Sequence, residues 1–233
     1  MGIYDSYAGR CKHPLGEWVH RLQARKMAAR AGQYLGPRSR VAEVGPGDGY
    51  FAEICRDAGY TYTALEASAE TAGMLRARGL RVETGSAPPL PFPDRSADLC
   101  CLFHILEHMA DAEHAAGLIE EAKRVLDPGG VLALACPNYD AWGRDFYEDY
   151  THTFVTTLRR VDHLLRDSGF TIQEDRYYSG PVFGWTRYFL LAANRLLYLR
   201  WLNRCLASER YYNGFLTFLE NFFVIARRRD NTT

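Results

Sequence analysis

The run Val41-Ala42-Glu43-Val44-Gly45-Pro46-Gly47-Asp48-Gly49-Tyr50 constrains this chain more than any other ten residues. A short apolar strand that passes directly into alternating glycines, and then into a helical pattern, is a turn that brings backbone close to a ligand. Glycine has no Cβ to block that approach. A dinucleotide loop would place its third glycine three residues after the second, and here that place is Tyr50. Glu43 also sets a carboxylate where a pyrophosphate would sit, which is repulsive. A phosphate ligand is therefore disfavoured, and a ligand with a cationic amino acid end and a sulfonium suits the turn. Glu66, seventeen residues beyond Gly49, closes the next apolar run. From that position a carboxylate accepts from a ribose diol.

Around this turn, short apolar runs alternate with helical patterns. Leu15, Trp18, Val19, Leu22 and Met27 recur at helical steps among Arg and Lys, predicting an amphipathic helix from about Leu15 to Tyr34, stopped by Gly36-Pro37. After VAEV at 41–44 the pattern predicts a helix from Tyr50 to Ala58, a strand at 61–65, a helix around 69–77 and a strand at 80–83. ADLCCLF at 97–103 follows, then a helix from about Ala112 to Leu126 ended by Asp127-Pro128-Gly129-Gly130, and the strand VLALAC at 131–136. A helix from Thr156 to Asp167 leads into FTIQED, and NFFVIARR at 221–228 is the last strand. Strand-helix-strand repetition at this spacing requires crossovers and a parallel sheet, and continuous apolar runs suit strands covered on both faces. The expected fold is α/β, a Rossmann-like doubly wound sheet of seven strands in three layers.

The organisation expected is an N-terminal cap of helices at 1–37, a core at 38–180 and 217–233, and a helical insertion at 181–216. The insertion carries Arg187, Arg195, Arg200 and Arg204 among its aromatic and leucine residues, too many charges for a membrane span. It caps the site or touches a membrane peripherally. From Gly180 onward eight Arg face three acids, Glu209, Glu220 and Asp230. Over the whole chain, 28 basic residues balance 28 acidic ones, so no global field draws it to nucleic acid. The six cysteines form no CxxC pair and read as reduced core thiols. The first residues lack the apolar stretch of a secretory signal, so a cytoplasmic location is expected.

EVGPGDG, LEAS, the segment GSAPPLPFPDRSADLCCLFHILEHM and LDPGG together resemble the class I S-adenosylmethionine-dependent methyltransferases. The similarity spans about residues 38–175 and points to the small-molecule branch that includes ubiquinone-pathway enzymes. It implies strand order 3-2-1-4-5-7-6 with the last strand antiparallel, and S-adenosylmethionine as cofactor with S-adenosylhomocysteine as product. By position, Glu43, Gly45, Pro46, Gly47 and Gly49 would shape the methionine pocket, and Glu66 with Ala67 would take the ribose. Ser86 and Ala87 would flank the adenine, and Phe103 and His104 would lie beside the cofactor. Ser86 departs from the pattern, since many relatives carry Asp there.

Methyl transfer from a sulfonium asks the protein mainly to align and desolvate. A base is needed when the acceptor is a hydroxyl, and histidine serves near neutral pH. His104, Glu107 and His108 are expected on one face at the start of a helix, with His152 arriving later in EDYTHTF. His108 or His152 is the expected base or orienting group. Three alternatives stand beside it: packing and capping roles alone, a divalent metal held by His104, Glu107, His108 and His152, and, least favoured, the inverted zinc-protease pattern HxxEH. The segment Tyr147–Phe154 resembles one in glycan and natural-product methyltransferases and implies a small-molecule, sugar or lipid-linked hydroxyl acceptor. Trp142, Phe146, Tyr147 and Tyr150 would stack on its ring. A nucleic-acid methyltransferase and a non-catalytic cofactor binder are the rival functions, and the oligomeric state is open.

Overall fold

A computed structural model describes residues 14–189, 191–192 and 219–229. Helix α1 (Pro14–Ala31) and a 3-10 turn lead to β1 (Arg40–Val44), α2 (Tyr50–Asp57), β2 (Thr61–Glu66), α3 (Ala69–Ala77) and β3 (Val82–Thr84). Then come β4 (Ala97–Phe103), α4 (Ala112–Val125), β5 (Leu126–Pro137), the short α5 (Tyr139–Trp142) and α6 (Leu158–Asp167). β6 (Phe170–Ser179), β7 (Val182–Phe183) and β8 (Glu220–Arg228) complete the sheet.

The strands order as β3-β2-β1-β4-β5-β8-β6-β7. The first five are mutually parallel, and β8 runs antiparallel to both β5 and β6. This is the expected order 3-2-1-4-5-7-6, with one addition: Val182 and Phe183 pair with the edge of β6, making eight strands instead of seven.

Alternation along each strand divides the core into two faces. Val41, Leu99, Cys101, Ala133 and Phe223 pack under α1, α2 and α3, while Ala42, Cys100, Leu132, Leu134 and Val224 pack under α4 and α6. Three layers result. The adjacent Cys100 and Cys101 bury on opposite faces, and Cys55, Cys100, Cys101 and Cys136 are all free and buried. Cys11 and Cys205 lie outside the described residues.

Helix starts follow local hydrogen bonding. Ser68, Asp111 and Thr157 cap α3, α4 and α6 by accepting from the amides of Thr71, His114 and Arg160. The Asp111 cap changes one expectation: residues 104–108 do not open a helix, because α4 begins only at Ala112, and Leu106–His108 form a single 3-10 turn. Asp127-Pro128-Gly129-Gly130 also differs from the expected turn. It lies within β5 as an irregularity between the Ala97–Leu126 and Leu99–Val131 pairings. Most of the expected insertion at 181–216 lies outside the described residues, so its helical and membrane-facing reading does too. Among the described residues no helix is long and apolar enough to cross a membrane.

Candidate functional site

The carboxyl ends of β1, β2, β4 and β5 share one edge of the sheet, because these strands are parallel and in register: Val44 opposes Leu65 and Leu102, and Phe103 opposes Ala135. In open α/β sheets ligands bind at such an edge. The turn after β1 is held by Gly45 N–H donating to the Leu65 carbonyl at 2.8 Å and Gly49 N–H to the Pro46 carbonyl at 2.8 Å. Gly45, Gly47 and Gly49 adopt φ of 66°, 51° and 77°. A Cβ on Gly45 or Gly49 would overlap Ile105 or Leu75, whereas one on Gly47 would meet nothing within 4 Å. Gly47 thus presents open backbone, and its neighbours are glycine for packing as well as conformation. Arg78 donates to the Asp48 carbonyl at 2.7 Å and pairs with Glu53 at 2.6 Å, so its charge is used within the fold.

Two acids flank the turn in different ways. Glu43 lies on the α1–α3 face, 2% exposed, and accepts a 2.5 Å hydrogen bond from the Tyr62 hydroxyl. Burial pushes its carboxyl up to about 7, with the Tyr62 bond opposing and Glu66 adding to the rise. Its carboxyl group therefore precedes the turn as one that titrates near neutral pH. Glu66, 8% exposed, accepts from the Ser68 amide at 2.9 Å and also from the amides of Gly47 and Ala67. Burial raises its pKa and those three amides hold it down. A carboxylate has about four acceptor positions, so with three amides bound one remains for a ribose hydroxyl. Ser86 is exposed and Ala87 packs partly against the core. The residues suit a sulfonium nucleoside: open glycine backbone, a ribose-type acceptor at Glu66, and a buried carboxyl group at Glu43.

Beyond β4, Phe103 packs edge-on against Phe51 with ring centroids 5.0 Å apart. His104 takes the left-handed conformation, φ 57°, and its amide donates to the Ala135 carbonyl at 2.8 Å. Its ring is held on both sides, with Nδ1 3.2 Å from Glu107 Oε1 and Nε2 2.9 Å from the Tyr178 hydroxyl. The fold brings His152 to the same place. Thr153 and Phe154 donate their amides to the Glu107 carbonyl at 2.9 and 3.0 Å, which sets the His108 and His152 rings 4.9 Å apart. His152 is also packed against Phe146, at 4.8 Å between centroids, with Trp142 at 6.4 Å. Burial lowers the His152 pKa, opposed by Glu107. Glu107 itself is buried, which would raise its carboxyl, yet His104, His108 and His152 together keep it below the ordinary range.

Sequence reading missed three residues here. Tyr62 and Tyr178 lie within strand patterns, and nothing in the linear chain marks them as partners of Glu43 and His104. His20, on α1, lies within electrostatic reach of Asp48 and His104, and its pKa is lowered chiefly by burial. Its place among helical residues was legible, but not what that helix covers.

A model of a methyltransferase domain matches residues 15–175. A Mycolicibacterium smegmatis protein named "probable S-adenosylmethionine-dependent methyltransferase" is 33% identical over 138 residues, 58% of this chain and 52% of that protein. A similarly named Mycobacterium tuberculosis protein is 32% identical over 145 residues, 59% of this chain and 52% of its own. The chain thus matches about half the length of these curated relatives. Among solved structures, a SAM-dependent methyltransferase from Archaeoglobus fulgidus aligns with a TM-score of 0.66 at 17% identity, covering 97% of this chain and 100% of its own, which speaks to the fold. Strand order, the glycine turn and the span of that domain match agree, and the chain belongs to the S-adenosylmethionine-dependent methyltransferase superfamily.

Proposed function

We propose that this protein transfers the methyl group of S-adenosylmethionine to a hydroxyl of a small-molecule, sugar or lipid-linked acceptor. The observation that carries the cofactor reading is the open glycine backbone at Gly47 between two buried acids, Glu43 and Glu66. When bound there, the cofactor supplies a methyl group already activated by the sulfonium charge. Glu66 and Ala67 would hold the ribose, Gly45, Pro46 and Gly47 the methionine end, Ser86 and Ala87 the adenine, and Phe103 and His104 the adjoining wall.

The hydroxyl reading rests on the group next to that wall. His108, His152 and the buried Glu107 offer imidazole and carboxylate together, so the proton of an acceptor hydroxyl can be held or removed. Tyr147, packed on the Phe146 ring that touches His152, and Tyr150, two residues before His152 in the chain, are exposed and suit stacking on a sugar or other ring. The test is incubation with methyl-labelled S-adenosylmethionine and fractionated sugars, glycolipids and small phenols, with RNA as a parallel substrate. Label in a hydroxyl-bearing fraction, lost in Glu66→Ala, is the expected result. Label in RNA alone would overturn the acceptor reading, and no cofactor binding by calorimetry would overturn the whole.

A further inference from the structure

Helix α1 spans from the glycine turn to the end of β6 and is pinned at both. Arg21 stacks on the ring of Tyr50, the first residue of α2 after the turn, with its guanidinium carbon 4.3 Å from the ring centroid. On the other side Gln23 Nε2 donates to the Gly180 carbonyl at 2.9 Å and Lys26 Nζ to the Pro181 carbonyl at 2.6 Å, just beyond β6. His20 shares a helical stripe with Ala24, Met27 and Ala31, which pack on the sheet. It stands one turn ahead of Ala24, and from there it comes within electrostatic reach of Asp48 on the glycine turn and His104 after β4.

The amino acid end of S-adenosylmethionine carries an ammonium and a carboxylate. Glu43 and Asp48, on either side of Gly45-Pro46-Gly47, suit the ammonium and leave the carboxylate in need of a donor. The basic side chains around the turn are committed elsewhere. Arg78 serves the Asp48 carbonyl and Glu53, Arg21 pairs with Glu17 at 2.9 Å, and Lys26 serves Pro181. Arg25 lies on the exposed side of α1. The His20 ring is half-buried, and among the described residues no hydrogen bond or ion pair engages it. An imidazole drawn out of water without a partner loses hydrogen bonds that a ligand beside it can restore.

We propose that His20 closes the amino acid end of the cofactor site by donating a ring N–H to the methionine carboxylate. This rests on the cofactor reading given above and adds a proton to it. Burial lowers the His20 pKa, with Asp48 opposing and His104 adding to the fall. A carboxylate in contact favours the imidazolium and raises it again. The other charged or titratable groups on the elements around it are Glu17 and Arg21 on α1, Tyr50 and Glu53 on α2, and Arg78 at the end of α3, all present with or without ligand. A ring that is neutral near pH 7 and charged in the complex takes up a proton from solvent, so its contribution to affinity falls as pH rises through the neutral range. Glu43, which titrates near 7 and holds an ammonium best when charged, acts in the opposite sense. The part due to His20 is therefore the difference between the natural chain and a His20 variant.

The test is calorimetry on the full chain with two ligands, S-adenosylhomocysteine and its decarboxylated analogue, which keeps the nucleoside, the thioether and the ammonium. His20→Ala should weaken S-adenosylhomocysteine by about 10- to 100-fold, the range for a charge-assisted hydrogen bond, and leave the analogue unchanged. A general disturbance of α1 would weaken both alike. His20→Gln, whose amide donates without a charge, should recover part of the lost affinity. It should also bind S-adenosylhomocysteine with less proton uptake than the natural chain when heats in two buffers of unlike ionisation enthalpy are compared near pH 7. Equal losses for the two ligands, unchanged proton uptake in His20→Gln, or a His20→Ala variant that is folded by circular dichroism and binds S-adenosylhomocysteine as the natural chain does, overturns the role of His20 and leaves the cofactor reading intact. A natural chain that binds neither ligand removes the cofactor reading and this inference with it.

Discussion

Tyr62 donates its hydroxyl proton to the buried Glu43 carboxylate across 2.5 Å, tying the second strand to the acid that precedes the glycine turn. This bond only partly offsets burial, and Glu43 titrates near 7 against an ordinary 4.5. A raised carboxyl contributes stability that is fully present below about 4.5 and lost as pH rises through about 7. At about 1.4 kcal/mol per pKa unit, the loss is roughly 3 kcal/mol. Glu43→Gln should therefore be more stable than the natural chain by a margin that widens by about that amount between pH 5 and pH 8.5. Urea unfolding at both pH values measures it. A margin independent of pH would mean that Glu43 is charged throughout.

Glu66→Ala should weaken S-adenosylhomocysteine by about 1.5–3 kcal/mol, the range for charge-assisted hydrogen bonds. Because Glu66 also receives the Gly47 amide, part of the loss comes from a less ordered turn. Calorimetry at fixed pH decides it, and unchanged affinity would remove Glu66 from the ribose role.

Gly45→Ala meets two costs, a positive φ and the overlap with Ile105 Cδ1. The first amounts to about 1–2 kcal/mol and the second to about 1–3 kcal/mol. Adding Ile105→Val removes the overlapping methyl but not the backbone strain. The double variant should recover part of the lost stability, measurable by chemical denaturation. Full recovery would show that conformation at residue 45 is unimportant.

His152→Ala should lower turnover by about 10²- to 10⁴-fold, the range for proton-transfer assistance, with cofactor affinity unchanged. Single-turnover kinetics alongside calorimetry separates the two quantities. Retained turnover would leave His152 a packing partner of Phe146 and nothing more.

Arg187 and Glu220 form a buried ion pair at 2.6 Å, with Asn138 donating to the other Glu220 oxygen at 2.9 Å. Arg187→Met strands the carboxylate and should cost about 3–5 kcal/mol. Pairing it with Glu220→Gln should cost distinctly less, since no uncompensated charge remains. Thermal unfolding of the single and double variants checks this, and equal losses would show the pair to be energetically silent.

Local pattern carried the sheet and the cofactor edge into view. Apolar runs such as ADLCCLF and VLALAC read as strands covered on both faces, and helices of the observed spacing force parallel crossovers, so a parallel sheet was legible in the pattern, while the order of its strands was implied only by the family resemblance. The turn at 45–49 was equally plain, because glycine tolerates a backbone that few other residues adopt, and that is a property of residue type. The small edge strand Val182–Phe183 was not legible, since two residues carry no periodicity and pair only because β6 offers a free edge.

Long-range side-chain partnerships could be decided only by the tertiary structure. Glu43 as a strand-end acid was written in the chain, but its burial against Tyr62, and with it a pKa near 7, depends on how β1 and β2 register under α2. His104, Glu107 and His108 were visible as neighbours, yet which nitrogen is spoken for and which faces Glu107 depends on Tyr178, Thr151 and Phe146, far away in sequence. The physical reason is that backbone conformation follows from short-range sterics and apolar periodicity, which are local. The charge, tautomer and ligand capacity of a buried group are set instead by whatever the fold places within about 4–6 Å of it.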